Sequence, residues 1–184
     1  MAMKSRILAA VLTVCLSGAA AAADYPAPQA PLVADGTGYI DVPGALVPID
    51  PRHSYKTIIN SEHTAAKSNA VLPSLQRASM IVNGLTVGHV PPANIKVVLV
   101  FHGPSVDGLL RNDGYKEKFG LDNPNLKVIK ELTAAGVQIF VCAQYMAGIN
   151  RSMDTLTPEV KLATAASLVL VTYENEGYAL LSDD

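Results

Sequence analysis

Two residues combine reactive chemistry with a telling place in the chain. Cys142 closes the apolar run VQIFVC, and His102 follows the apolar run IKVVLVF, directly ahead of Gly103. A thiol at the end of a buried strand, with a short helix opening at Ala143, meets backbone amides that favour negative charge and lower a thiol's pKa. A thiolate there could attack a disulfide or hold a persulfide. The competing reading is a packed core thiol, because free cysteine is among the most buried residue types. His102 is an acid–base candidate able to help hold a thiolate, and equally a histidine that caps the turn at Gly103. Tyr145 and Asn150 are close enough to Cys142 in sequence to line the same site. Asp107 and Asp113 are possible partners for His102, although loop aspartates are usually just solvated. His53, His63 and His89 fall away from strand ends and read as surface or turn residues.

Other chemistries find no support. No Cys/His spacing suggests a zinc site. The segment HGPSVDG is neither GxGxxG nor a P-loop, and no GxSxG elbow marks a hydrolase. Nothing in the sequence calls for a metal or an organic cofactor.

The elements that must position these residues follow from periodicity. The β-branched stretch 55–60 reads as a first strand. Helical spacing of apolar residues covers 65–83; Pro73 is tolerated if the helix starts near Leu72, and Asn83-Gly84 ends it. Residues 95–101 form a continuous apolar strand, followed by a short helix over 106–110 and a polar loop over 111–123. An amphipathic helix over 125–135 stops at Gly136, and residues 137–142 form the next strand. A short helix follows over 143–150, and Thr157-Pro158-Glu159 opens another with Thr157 as cap. Residues 167–172 (SLVLVT) read as a third buried strand, and 173–181 as helical then extended. Strands alternating with helices predict an α/β fold with a doubly wound, mainly parallel sheet of about four to five strands and helices on both faces. Ligands in such sheets sit beyond the carboxyl ends of the strands, where His102 and Cys142 both fall.

Composition sets the context. The chain has 184 residues, 49% apolar and 16% charged, enough for one real core and far from a disordered composition. Residues 1–23 read as a secretory signal, with Lys4 and Arg6 ahead of an apolar run and Ala21-Ala22-Ala23 at the cleavage site. That run is too short to anchor in a bilayer, so no membrane association is expected after cleavage, and the destination is the periplasm. Val14 ahead of Cys15 departs from the small residue usual before a lipid-acceptor cysteine. Loss of Lys4 and Arg6 leaves 12 basic against 16 acidic residues, near −4, which disfavours nucleic acid as a partner. Loss of Cys15 leaves Cys142 without an intramolecular partner, so it is either buried and inert or reactive. Residues 24–51, rich in Pro, Gly and Ala, read as an extended arm, with short strands possible at 38–42 and 45–49, that either stays mobile or wraps a neighbouring subunit. The domain proper spans 52–184.

The ordered set IKVVLVFHGPSVDGLL, a helix closing in LTAAGVQIFVCAQYMAGI, then LTPEV and SLVLVTYENEGYALL resembles the DsrE/DsrF-like family, small α/β proteins linked to sulfur relay. The resemblance runs over roughly residues 55–181. It implies the three-layer, flavodoxin-like DsrE fold. It also implies a homotrimer or homohexamer with sites near subunit interfaces, Cys142 as persulfide acceptor, His102-Gly103 as the matching pair after the second strand, and a sulfur donor or acceptor protein as partner. The leading expectation is therefore a periplasmic sulfur-handling protein. The alternatives are a non-catalytic small-ligand-binding module around His102 and Cys142, or an oligomeric interaction module tethered by the arm.

Overall fold

The computed structural model describes residues 25–183; the expected signal at 1–23 lies outside the described residues. Five strands form one parallel sheet: β1 (Tyr55–Ser61), β2 (Ile95–Phe101), β3 (Gln138–Cys142), β4 (Lys161–Ala163) and β5 (Ala179–Ser182), in the order β4-β3-β2-β1-β5. Successive side chains on a strand point to opposite faces, so the Ile58-Ile59 pair of β1 and the apolar run of β2 supply two separate cores. On one face Ile59, Val97, Leu99, Phe101, Ile139 and Val141 pack under α1 (Pro73–Val87) and α3 (Leu126–Ala134). On the other, Ile58, Val98, Val100 and Cys142 pack under α5 (Ala166–Asn175). Tyr173 and Tyr178 stack edge to face at 4.8 Å beside Phe140 and help hold α5 down. The result is the three-layer α/β architecture with helices on both faces.

Several expectations are corrected. The run 167–172 lies inside α5 and is not a strand. Apolar runs of this length fit a buried strand or a helix equally well. The parallel pairing of β5 beside β1 demands a long crossover from β4, and α5 is that crossover. The sheet's true outer strands, LysLeuAla in β4 and the four residues of β5, are too short to carry a pattern. Thr157 opens no helix: its hydroxyl bonds Glu159, its amide bonds the Leu109 carbonyl, and the chain turns into β4. The expected loop over 111–123 contains α2 (Asn112–Phe119), whose single buried residue, Tyr115, leaves no apolar stripe to detect. Asp113 in its first turn and Lys116 and Lys118 in its last complement the helix dipole, and Gly120 at φ 78° caps it.

Helix α1 starts at Pro73 and continues through Asn83-Gly84 to Val87. Both residues read as a stop signal are instead committed to packing residues 25–51. The Asn83 side chain, fully buried, accepts hydrogen bonds from the Leu32 and Val33 amides (3.2 and 3.0 Å) and donates to the Val33 and Thr37 carbonyls (3.1 Å each). Gly84 lets the Tyr39 ring lie where a Cβ would stand 2.8 Å from it. The arm therefore docks on its own α1. A bridge between Gln29 and Tyr39 closes it, and no strand forms at 38–42 or 45–49. At its end, the Arg52 side chain and amide hold the Asp50 carboxyl at about 2, below the ordinary 3.8, so this staple persists at neutral pH and is lost only as the pH falls towards 2.

Candidate functional site

The carboxyl ends of three neighbouring strands carry the site. On the α5 face, the alternation that buries Ile58 brings Asn60 into line on β1, and the one that buries Val98 and Val100 brings His102 just past the end of β2. Val141 pairs with Phe101, so Cys142 is the next position on β3, one strand over from His102. The β4–α5 connection crosses above them. Asn60, His102, Cys142 and Tyr145 line a cavity of about 540 Å³. Gln144, Ser167 and Leu170 complete it with Ala165 and Ala166, and no lysine or arginine is among its lining residues.

Cys142 is 6% exposed and ends β3 as the cap residue of the short helix α4 (Ala143–Gly148). Its Sγ accepts the amide N–H of Ala166, the first residue of α5, at 3.3 Å. Backbone amides directed at sulfur stabilise negative charge on it, and the dipole of α5 acts in the same sense. The donor thus comes from a helix 24 residues further along the chain, whereas α4, the short helix directly after the cysteine, makes no capping hydrogen bond to the Cys142 side chain.

His102 is half-buried, and its Nε2 lies 2.8 Å from Asn60 Oδ1. Its backbone is extended, and its amide bonds the Ser61 carbonyl at 3.1 Å. Ser105 Oγ ties Ser61 and His102 together by donating to both carbonyls (2.8 and 2.9 Å). Gly103 serves the backbone and does not line the cavity: at φ 62° it occupies the left-handed region that favours glycine. Asn150 is exposed beyond the end of α4, at φ 50° with its amide on the Ala147 carbonyl, and also lies outside the lining. Of the five residues singled out in the sequence, the fold therefore brings Cys142, His102 and Tyr145 together.

Asp107 does not pair with His102. It binds Arg151 at 2.9 Å and Lys118 at 2.6 Å, locking the β2–α2 connection to the segment after α4. His63 Nδ1 contacts the buried Asp183 carboxylate at 2.7 Å, joining the β1 loop to the end of β5. Among the described residues no cluster of His, Cys, Asp and Glu is arranged to hold a metal, and no helix is long and apolar enough to cross a membrane.

Sequence reasoning missed Asn60, Gln144, Ser167 and the Ala165-Ala166 pair. Asn60 carried a signal, being a polar residue inside an apolar strand. The α5 residues carried none while 167–172 read as a strand.

Comparison with known proteins agrees with this architecture. The family model of the DsrE/DsrF-like family matches residues 56–182. A search of curated proteins returns no match. Among solved structures, the protein of unknown function MTH1491 from Methanobacterium thermoautotrophicum is 18% identical with a TM-score of 0.51, and the match covers 70% of this chain and 98% of that one. The ychN protein from E. coli is 19% identical with a TM-score of 0.50, again covering 70% of this chain and 98% of the other. At that identity the structural likeness speaks for the fold, while the family model takes in β1 through β5 and with them Asn60, His102 and Cys142. On that match the chain belongs to the DsrE/DsrF-like family.

Proposed function

We propose that this protein is a sulfur carrier in which Cys142 accepts sulfane sulfur as a persulfide and passes it to a partner thiol. Membership in a family of sulfur-relay type supports the role in general. The observation that carries it to this residue is the Ala166 amide on Cys142 Sγ at the floor of an open cavity shared with His102. In the loading step the Cys142 sulfur attacks the outer sulfur of a donor persulfide. A new S–S bond forms at Cys142, the donor's own S–S bond breaks, and the released donor thiolate takes up the proton. The same exchange run towards an acceptor thiol unloads the carrier, with no net oxidation. Cyanolysis of polysulfide-treated, desalted protein tests this: about one thiocyanate per chain is expected, and none would sink the reading.

The low exposure of Cys142 favours one rival, a non-catalytic module that holds a small ligand in the same cavity with the thiol as lining. Equal ligand affinity in the wild type and Cys142→Ala, together with no sulfane sulfur, would select it. The reading also includes export to the periplasm, which the sequence of residues 1–23 supports.

We further propose that the functional form is a homo-oligomer, a trimer or hexamer, in which a second copy covers the outer side of α5. Leu168 and Val171 there are 57% and 55% exposed, and Leu162 on the edge strand β4 is 52% exposed. Leu168 and Val171, three residues apart on α5, form an exposed apolar pair of the kind found on interaction surfaces. The double substitution Leu168→Glu, Val171→Glu should convert the assembly to monomers by light scattering; a wild type that is itself monomeric contradicts the proposal.

A further inference from the structure

We propose that Asn60 is a positioning residue of this site: it holds the Nε2–H of His102 and so leaves Nδ1 as the ring nitrogen that takes up and returns the proton during sulfur exchange. The proposal rests on the sulfur-carrier reading above.

Asn60 stands where an apolar residue is expected. Ile58, its predecessor on the same face, is fully buried, and asparagine is depleted in strands. A half-buried amide in such a place needs a hydrogen-bond partner. Asn60 finds it in a side chain across the β1–β2 pair, the His102 ring at 2.8 Å, whereas the neighbouring Ser61 and Ser105 build the turn itself. A neutral imidazole carries its proton on one nitrogen, and the partner of that nitrogen selects the tautomer. With Oδ1 as acceptor, Nε2 carries the proton and Nδ1 keeps the lone pair. The ring is also anchored from the backbone, through the His102 amide on the Ser61 carbonyl.

This arrangement assigns Nδ1 the proton exchange with Cys142, which lines the same cavity. Nδ1 takes the Cys142 thiol proton as the sulfur attacks the outer sulfur of the donor persulfide. When the donor S–S bond breaks, the leaving thiolate takes that proton back. Cys142–SH and R–S–SH become Cys142–S–SH and R–SH, and the ring returns to its neutral form. The titratable groups around His102 are Cys142 from β3 and Tyr145 from α4; Glu62, after β1, lies beside Gly103. From α5 the cavity receives Ala166, Ser167 and Leu170 but no charged side chain.

The test compares the wild type with Asn60→Asp and Asn60→Leu, with Asn60→Ser as a milder variant should either misfold by far-UV circular dichroism. Polysulfide loading of Cys142 is followed by mass against pH, and the His102 ring is titrated by its Cε1–H resonance. A carboxylate in place of the amide favours the imidazolium, so in Asn60→Asp the ring titration and the rising limb of loading should move together to higher pH, by about one unit. Asn60→Leu, or the serine variant, should load about tenfold more slowly with the fold intact. Loading in these variants at the wild-type rate and with the wild-type limb overturns the role of Asn60 while leaving the carrier reading standing. A wild type that never loads removes the carrier reading and this inference with it.

Discussion

Cys142→Ser is expected to lose sulfur loading completely while keeping the native fold. A serine hydroxyl in the same place can accept the Ala166 amide, so the contact between β3 and α5 survives, but it supplies no sulfur to hold the persulfide. The site is 6% exposed and packed against Ile58, Val98, Val100 and Ala166, so placing a hydroxyl there costs about 1 kcal/mol. For a domain of this size that lowers Tm by about 3 °C. Far-UV circular dichroism and a thermal melt check the fold, and intact mass after polysulfide treatment checks the chemistry. Retained loading in the serine variant would place the sulfur elsewhere and end the assignment to Cys142.

Asn83→Ala is expected to produce the largest loss of stability among the substitutions considered. It leaves four arm groups without their partner: the Leu32 and Val33 amides and the Val33 and Thr37 carbonyls. The two Val33 groups, which are buried, must stay unsatisfied at about 1–3 kcal/mol each or return to water with the arm. The second course exposes Val33, fully buried in the α1 core, and forfeits about 1.5–3 kcal/mol of burial. Because the arm can peel away, the cheaper course sets the total, and a loss of about 3 kcal/mol is expected. Hydrogen exchange reads the mechanism directly: the Leu32 and Val33 amides lose protection ahead of the sheet. Wild-type protection at these two amides in the variant would show that the clamp contributes little.

The layers of the fold were legible because their elements follow simple rules: a β-branched stretch in β1, apolar runs in β2 and β3, and an amphipathic helix, α3, followed by glycine. Gly136 illustrates this: its φ of 91° is the conformation the sequence asked of it after α3. Two of the errors share one cause, long-range contact overriding local pattern. Asn83 and Gly84 resemble a helix end only until the arm that uses them is in view. The run 167–172 resembles a strand until β5 is placed beside β1. At the site, Cys142 and His102 were visible because strand ends in α/β sheets are where side chains converge. Asn60 and the Ala166 amide were not, since one acts through a pairing between β1 and β2 and the other through a main-chain group that no residue type announces. Asn150, chosen for its nearness in sequence, is carried away from the cavity by the end of α4.

The most direct test of the central claim is the accessibility and sulfur content of Cys142 in the folded protein. The protein is treated with polysulfide, alkylated under native conditions, and mapped by peptide mass. The account predicts that Cys142 is alkylated without denaturation and that the treated sample carries about 32 Da more on the Cys142 peptide, lost on reduction. Labelling only after denaturation, with no added mass, would make Cys142 a core residue and contradict the account.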